Sequence, residues 1–217
     1  MSAADAIAGA GRRRDVRAGV HIELLTIVWM LAETVVSLAA GLLAGSVLLI
    51  AFGIDSLIEL VTGGVLLWRL VTEARTGSLE RVEHAEGRAA WVTAVALVLL
   101  CGYVLVSAGL ALAGGAHPTE SVLGIAVAAA AVVVMPLIAL RKRSLAERLG
   151  SAALRGDAAC SVTCAYLAST VIIGLALNAA LGWWWADSVA ALALLYWLGR
   201  EAHEALRTAR TGTSGCG

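Results

Sequence analysis

Five acidic side chains of this 217-residue chain fall inside long apolar stretches: Glu33, Asp55, Glu59, Asp157 and Asp187. An ionisable group at bilayer depth costs ~2.5–3.5 kcal/mol or more, and such groups usually serve a function. No Lys or Arg is expected at mid-depth beside them, so the acids need protons or a cation. Asp55 and Glu59 are spaced i, i+4, and so are Cys160 and Cys164. That spacing puts each pair on one helix face. Two carboxylates and two thiolates would make a tetrahedral O₂S₂ set. Such a set suits Zn²⁺, or softer Cd²⁺ and Hg²⁺, rather than Mg²⁺ or Ca²⁺, which want oxygen alone. Each pair also has a plainer reading. A lone C-x-x-x-C more often packs helices than binds metal, and two acids can serve a proton path by themselves.

The elements that must position these groups are membrane helices. Apolar residues make up 60% of the chain, above the composition of soluble domains. Six stretches, about 22–43, 46–68, 89–114, 120–140, 152–177 and 183–199, approach or exceed the roughly 20 residues needed to cross a bilayer. Their sixteen basic residues alternate by loop. Arg12, Arg13, Arg14 and Arg17 precede the first span; Arg69, Arg75, Arg81 and Arg88 lie at or between spans two and three. Arg141, Lys142, Arg143, Arg148 and Arg155 lie around the loop between spans four and five; Arg200, Arg207 and Arg210 follow the sixth. The other three loops have none. Positive charge stays on the cytoplasmic side, so both termini are expected inside. Trp183, Trp184 and Trp185 at one interface, with Trp68, Trp91 and Trp197 near the other, fit aromatic anchoring.

The expected architecture is all-α: six transmembrane helices, N-in and C-in, in the inner (plasma) membrane. Residues 1–19 are a polar, basic cytoplasmic tail unlike a cleavable signal peptide, 20–205 the transport domain, and 206–217 a disordered cytoplasmic tail ending near Cys216. Pro136 is expected to kink span four. On a 1.5 Å rise and a ~30 Å core, Asp55 lies roughly 16 Å from the inner edge, Glu59 roughly 10 Å, Cys160 roughly 12 Å and Cys164 roughly 18 Å. Glu59 is thus level with Cys160 and Asp55 with Cys164, provided spans two and five are neighbours. Glu33, at roughly 17 Å, is a fifth ligand, a proton acceptor or a hydrogen-bonded helix contact, the last two being favoured. Asp157 and Asp187 are shallower and equally suited to local capping or to a proton path. Cys101 reads as packing; His21, Glu23, His84, Glu86 and His203 read as solvated.

One echo crosses the chain. Gly45-Ser46 precedes Asp55-Ser56-x-x-Glu59, and Gly150-Ser151 precedes Cys160-Ser161-x-x-Cys164 at the same spacing. With an odd number of spans per half, the two halves would run in opposite orientation, a plan used by many transporters.

These motifs resemble the transmembrane domain of the cation diffusion facilitator family. Gly45-Ser-Val-Leu-Leu-Ile-Ala-Phe-Gly-Ile-Asp55-Ser-Leu-Ile-Glu59 resembles its second helix, Ser151-Ala-Ala-Leu-Arg-Gly-Asp157-Ala-Ala-Cys160-Ser-Val-Thr-Cys164 its fifth, and Trp185-Ala-Asp187 its sixth. The resemblance implies proton-coupled antiport of a Zn²⁺-type ion, usually by a homodimer, with Asp55, Glu59, Cys160 and Cys164 in the four ligand slots. Phe52 stands where that family has Asp, and the cysteines replace His and Asp. The family's cytoplasmic metal-binding domain has no counterpart in these residues. The implied cargo is a divalent ion, with no prosthetic group; the other partners are lipid and protons, not nucleic acid. Soft-metal (Hg²⁺) uptake and a non-transporting metal sensor or scaffold are the rival functions. An enzyme is not expected, because no outer loop is long enough to build a pocket and no His matches a Ser in depth.

Overall fold

The computed structural model describes the backbone of residues 3–76, 80–114, 118–119 and 121–211. Within them it describes all side chains except those of 3–10, 13, 73–76, 80–90, 152–153, 208 and 211. The described residues form six helices: α1 (Ala3–Ala44), α2 (Val47–Thr76), α3 (Glu80–Gly114), α4 (Val122–Leu149), α5 (Ala152–Leu181) and α6 (Trp184–Thr211). Five contain a stretch long and apolar enough to cross a membrane: Arg14–Ala44, Val47–Thr72, Trp91–Gly114, Val122–Leu149 and Leu154–Leu181. The apolar run of α6 is shorter and interrupted by Asp187, and this helix is the most amphipathic of the six. α1 absorbs the expected N-terminal tail from Ala3 onward, and α6 continues through Thr211, beyond the expected start of the C-terminal tail at 206. Cys216 and His117, and the side chains of His84 and Glu86, lie outside the described residues. α4 runs unbroken through Pro136.

Local chemistry sets the turns. Gly45, Gly150 and Gly182 take left-handed φ values of 66°, 65° and 66°, a conformation that only glycine adopts without penalty. After the first of these, Ser46 N–H donates to Gly41 O at 3.0 Å, and Ser46 Oγ accepts from Leu49 N at 3.1 Å. After the second, Ser151 N–H donates to Ala146 O at 3.1 Å, and Ser151 Oγ accepts from Leu154 N at 3.3 Å. The Gly-Ser echo is therefore one device used twice: a left-handed glycine closes a helix and a serine caps the next.

Packing follows the same halving. α1 pairs with α2 as α4 pairs with α5, and α2 meets α3 as α5 meets α6. The helices that correspond between halves also touch: α1 with α4, α2 with α5, α3 with α6. α2 is the hub, in contact with α1, α3, α5 and α6. Small residues let α1 reach it. A Cβ at Gly41 would lie 2.8 Å from Ile50 N, and one at Gly53 would lie 3.0 Å from Leu38 N. Close backbone approach through small residues is a common packing device between membrane helices. The main core joins Leu48, Leu49 and Phe52 of α2 to Leu97, Met135, Leu167 and Leu194. A second cluster, with Val16, Leu66, Leu70, Leu145 and Leu154, closes one end of α1, α2, α4 and α5. Large apolar side chains such as Leu42, Leu43, Leu99 and Leu140 stay on the outside, as lipid-facing residues do.

The expectation that no basic group lies beside the buried acids fails at one of them, and Glu23 is not a solvated residue. Lys142 of α4 is fully buried and pairs with Asp157 of α5 and with Glu23 of α1. Its Nζ lies 2.9 Å from Glu23 Oε2. Gly63 of α2 leaves the space for this carboxylate, since a Cβ there would lie 2.9 Å from Glu23 Oε1. Lys142 sits about two turns above the α4–α5 loop, and its long stem carries the ammonium into the bundle rather than out of it. The triad ties three helices together. Removing one member of a buried ion pair leaves an uncompensated charge and costs about 3–5 kcal/mol. Lys142→Met should therefore lower the thermal unfolding midpoint of the full chain in detergent. Adding Glu23→Gln and Asp157→Asn to it should recover most of the loss. A single variant as stable as the parent would rule out the ionic tie.

Candidate metal centre

The centre of the bundle collects carboxylates. Glu33 of α1 is buried (1% exposed) and fully engaged. Its Oε2 accepts from Trp29 Nε1 at 2.6 Å. Its Oε1 accepts from Ser56 Oγ of α2 at 2.6 Å and from Cys164 Sγ of α5 at 3.7 Å. Trp29 and Glu33 are one turn apart on α1, so the indole holds the carboxylate toward α2 and α5. Glu33 thus joins three helices, as the hydrogen-bonded helix contact among its expected roles requires. The role of Ser56 is fixed from its own helix too, with Phe52 O at 3.0 Å from its Oγ. In α5 the matching Ser161 Oγ donates to Asp157 O at 3.1 Å, so the echo extends to these serines.

Asp55 and Glu59 differ from Glu33. They are 1% and 8% exposed, and none of their four carboxylate oxygens has a hydrogen-bond partner. The charges acting on them are carboxylates. Glu201 acts on Asp55 most strongly and Glu33 next; Asp55 acts on Glu59 most strongly, followed by Glu201, Glu33 and Asp157. Cys164, fully buried in the core, feels Glu59 first, then Glu33, Asp55 and Glu201.

Cys160 is placed differently. It is partly exposed and lines a cavity of about 100 Å³ with Ala159, Thr163, Trp197, Arg200, Glu201 and Glu204, between α5 and α6. Cys164 turns toward α1 and α2, and Cys160 toward α6. Neither these two cysteines nor Cys101 is in a disulfide. Among the described residues, no three His, Cys, Asp or Glu side chains are gathered closely enough to hold a metal ion as they stand. The expected four residues share a region of the bundle but do not form a closed coordination shell in this conformation.

The two shallower acids have structural partners. Asp157 belongs to the Lys142 triad. Asp187, in the first turn of α6, accepts from Ser46 Oγ and, at 3.4 Å, from Leu48 N. It completes the cap of α2 from another helix, where a carboxylate also complements the positive end of the helix dipole. Cys101 packs against the core at partial exposure. His21 is exposed, with Nδ1 2.6 Å from Arg17 O, and His203 is exposed.

Two participants were missed from the sequence. Glu23 looked like a membrane-edge residue, and only the depth reached by Lys142 draws it inward. Glu201 lies just beyond the last apolar stretch, 183–199. Counting along the α5–α6 hairpin from Gly182 finds it. About 28 Å down α6, it is level with Cys164, about 27 Å back along α5.

No curated protein matches this chain closely enough to count as a relative. The family profile described as the cation efflux transmembrane domain matches residues 24–211, from the first span through the end of α6. A six-helix bundle with buried, base-free acids on its hub helix and a profile match over most of the chain identify the protein as a member of the cation efflux family, whose work is the transport of metal cations across membranes.

Proposed function

We propose that the protein exports a divalent transition-metal ion, Zn²⁺ or Cd²⁺, in exchange for protons, through a midplane site made by Asp55, Glu59, Cys160 and Cys164. The observation that carries this reading is the state of Asp55 and Glu59: two buried carboxylates, four unpartnered oxygens and no basic neighbour acting on them. In a low-dielectric interior such a pair is stable only with protons or a cation bound. The adjacent buried thiol of Cys164 favours a borderline or soft ion over a hard one.

The cycle is alternating access. An ion enters from the side that holds both termini, the cytoplasm in this reading, and the site closes as α2 and α5 bring their ligands together. Carboxylates and thiols lose their protons to bind metal, so loading releases protons by necessity. The three-helix halves, built on the same Gly-Ser turn, then rock against each other along α2·α5. Protons entering from outside displace the ion. Lipid, the ion and protons are the partners, and assembly as a homodimer in the inner membrane completes the reading. Glu33 holds α1 to Ser56 and Cys164 and serves as second shell or proton acceptor.

Reconstitution into proteoliposomes with an imposed pH gradient tests this. The parent should move Zn²⁺ or Cd²⁺ at a rate set by the gradient. Asp55→Asn with Glu59→Gln should reduce flux at least tenfold while the protein still inserts and elutes as the parent does. Unchanged flux in that variant would remove the site from this position. Binding without flux in the parent would favour a sensor, and gradient-independent Hg²⁺ entry would favour uptake. Thiolate ligands favour soft ions, so Cys164→Asp should shift the Cd²⁺-to-Zn²⁺ flux ratio toward Zn²⁺ severalfold in competition assays. A ratio unmoved by that change would take Cys164 out of the ligand set.

A further inference from the structure

Glu201, only partly exposed, is the acid with no task in the scheme above. Its Oε2 is shielded from solvent and has no hydrogen-bond partner. Its side chain lines the α5–α6 cavity, together with Cys160, Thr163, Trp197, Arg200 and Glu204. It also acts on Asp55 more strongly than any other charge does. It is also the acid of the cavity that carries a shielded, unpartnered oxygen. The other acid of the cavity is already engaged: Glu204 Oε1 lies 3.7 Å from Arg200 Nη2, and the Arg200 guanidinium rests 6.0 Å from the centre of the Trp197 ring. Trp197 in turn stacks on Tyr166 of α5 at 5.3 Å, with the rings 2° from parallel. The aromatic pair fixes the wall between the helices, and Arg200 is held to one side of it by Glu204. A volume of about 100 Å³ holds several waters, enough for a partly hydrated ion.

We propose that this cavity is a loading position for the cation, held by the Glu201 carboxylate and the Cys160 thiolate with water completing the shell, and that Glu201 passes the ion to Asp55 and Glu59. The proposal rests on the transport reading and adds a second position to it. Cys160 belongs to both positions, which accounts for its orientation toward α6 while Cys164 points to α1. As the Cys160 sulfur–metal bond forms, the thiol proton leaves to cavity water. Arg200 stands beside the position as a fixed positive charge and opposes entry of a second ion while the first is bound. The ion then passes from the α6 carboxylate to the α2 pair.

Binding by the purified full chain in detergent separates this position from the transport site. The probe is Cd²⁺, followed by its thiolate charge-transfer absorption. In the variant Asp55→Asn, Glu59→Gln, Cys164→Ser, one Cd²⁺ should still bind with a thiolate band. Adding Cys160→Ser should abolish the band, and adding Glu201→Gln instead should weaken binding tenfold or more. No band in the triple variant, or a band indifferent to Glu201→Gln, overturns the proposal. A second readout guards against variants that misfold. In a chain that keeps Cys160 as its single cysteine and carries Asp55→Asn and Glu59→Gln, Zn²⁺ should protect Cys160 from a methanethiosulfonate reagent. Glu201→Gln should remove that protection, and Glu201→Asp should retain part of it. Protection unaffected by Glu201→Gln has the same overturning force. Failure of the transport reading appears elsewhere, as flux that survives the loss of Asp55 and Glu59.

Discussion

Asp55 and Glu59 are negative-charge sites placed where charge is least tolerated, and nothing permanent neutralises them. That constraint orders the rest of the bundle. Either protons or a cation must accompany the pair, and whichever leaves must be replaced before the empty, ionised pair is exposed to low dielectric. In the proposed function, exchange of one for the other follows from where the carboxylates sit. The same chain shows the opposite solution less than the length of a helix away. Glu23 and Asp157 are also buried acids, and Lys142 holds them both. A fixed ammonium produces a static joint between α1, α4 and α5. Among the described residues no such ammonium pairs with Asp55 or Glu59.

The Gly-Ser turns explain how the two ligand faces are presented. A left-handed glycine followed by a capping serine sets the start of α2 and of α5 to within a residue. The ligand pairs then follow at the same distance along each helix. Helix geometry converts an equal count into an equal rotation. The two pairs are thus offered at corresponding positions of oppositely directed helices. The correspondence is broken where function differs. On α2 the pair is Asp55 and Glu59, and the cap of that helix is completed by Asp187 from α6. On α5 the pair is Cys160 and Cys164, and the contact of α2 with α6 has no counterpart of equal extent in the other half. α6 touches the hub helix, and its Glu201 acts electrostatically on Asp55.

Most of the fold could be read from the residues because its causes are local. Apolar runs gave the helices, glycines gave the turns, and the i, i+4 spacings gave the shared faces. The caps at Ser46 and Ser151 sit on the motif that linked the halves. What could not be read depended on depth and direction between helices. Lys142 lies in a basic cluster with Arg141 and Arg143, and its sequence neighbours place it at the membrane edge. Only the rotation of α4 decides that this one side chain turns inward, and Glu23 follows because it supplies the opposite charge. Cys160 and Cys164 share a face to within the 40° that separates i from i+4, yet that angle suffices to send one thiol to α1 and the other to α6. Glu201 was hidden by a convention, since counting from apolar content stops α6 at residue 199, whereas counting from the Gly182 turn carries it to the level of Cys164.

In the proposed site, the thiols of α5 have a definite chemical part to play. Cys164 is surrounded by the fields of Glu59, Glu33, Asp55 and Glu201. A buried thiolate among these carboxylates needs a cation beside it, because a buried charge is stable only when compensated. A divalent ion meets that need, since it neutralises the acids and draws out the thiol proton in the same event. In that reading the sulfur is a ligand only while a cation engages the carboxylates; without the ion it is the thiol that donates to Glu33 Oε1 at 3.7 Å. Carboxylates alone would hold hard and soft ions by charge. A thiolate that forms only in the presence of the ion adds selectivity at the last step of binding, and adds a proton to those that each ion must displace.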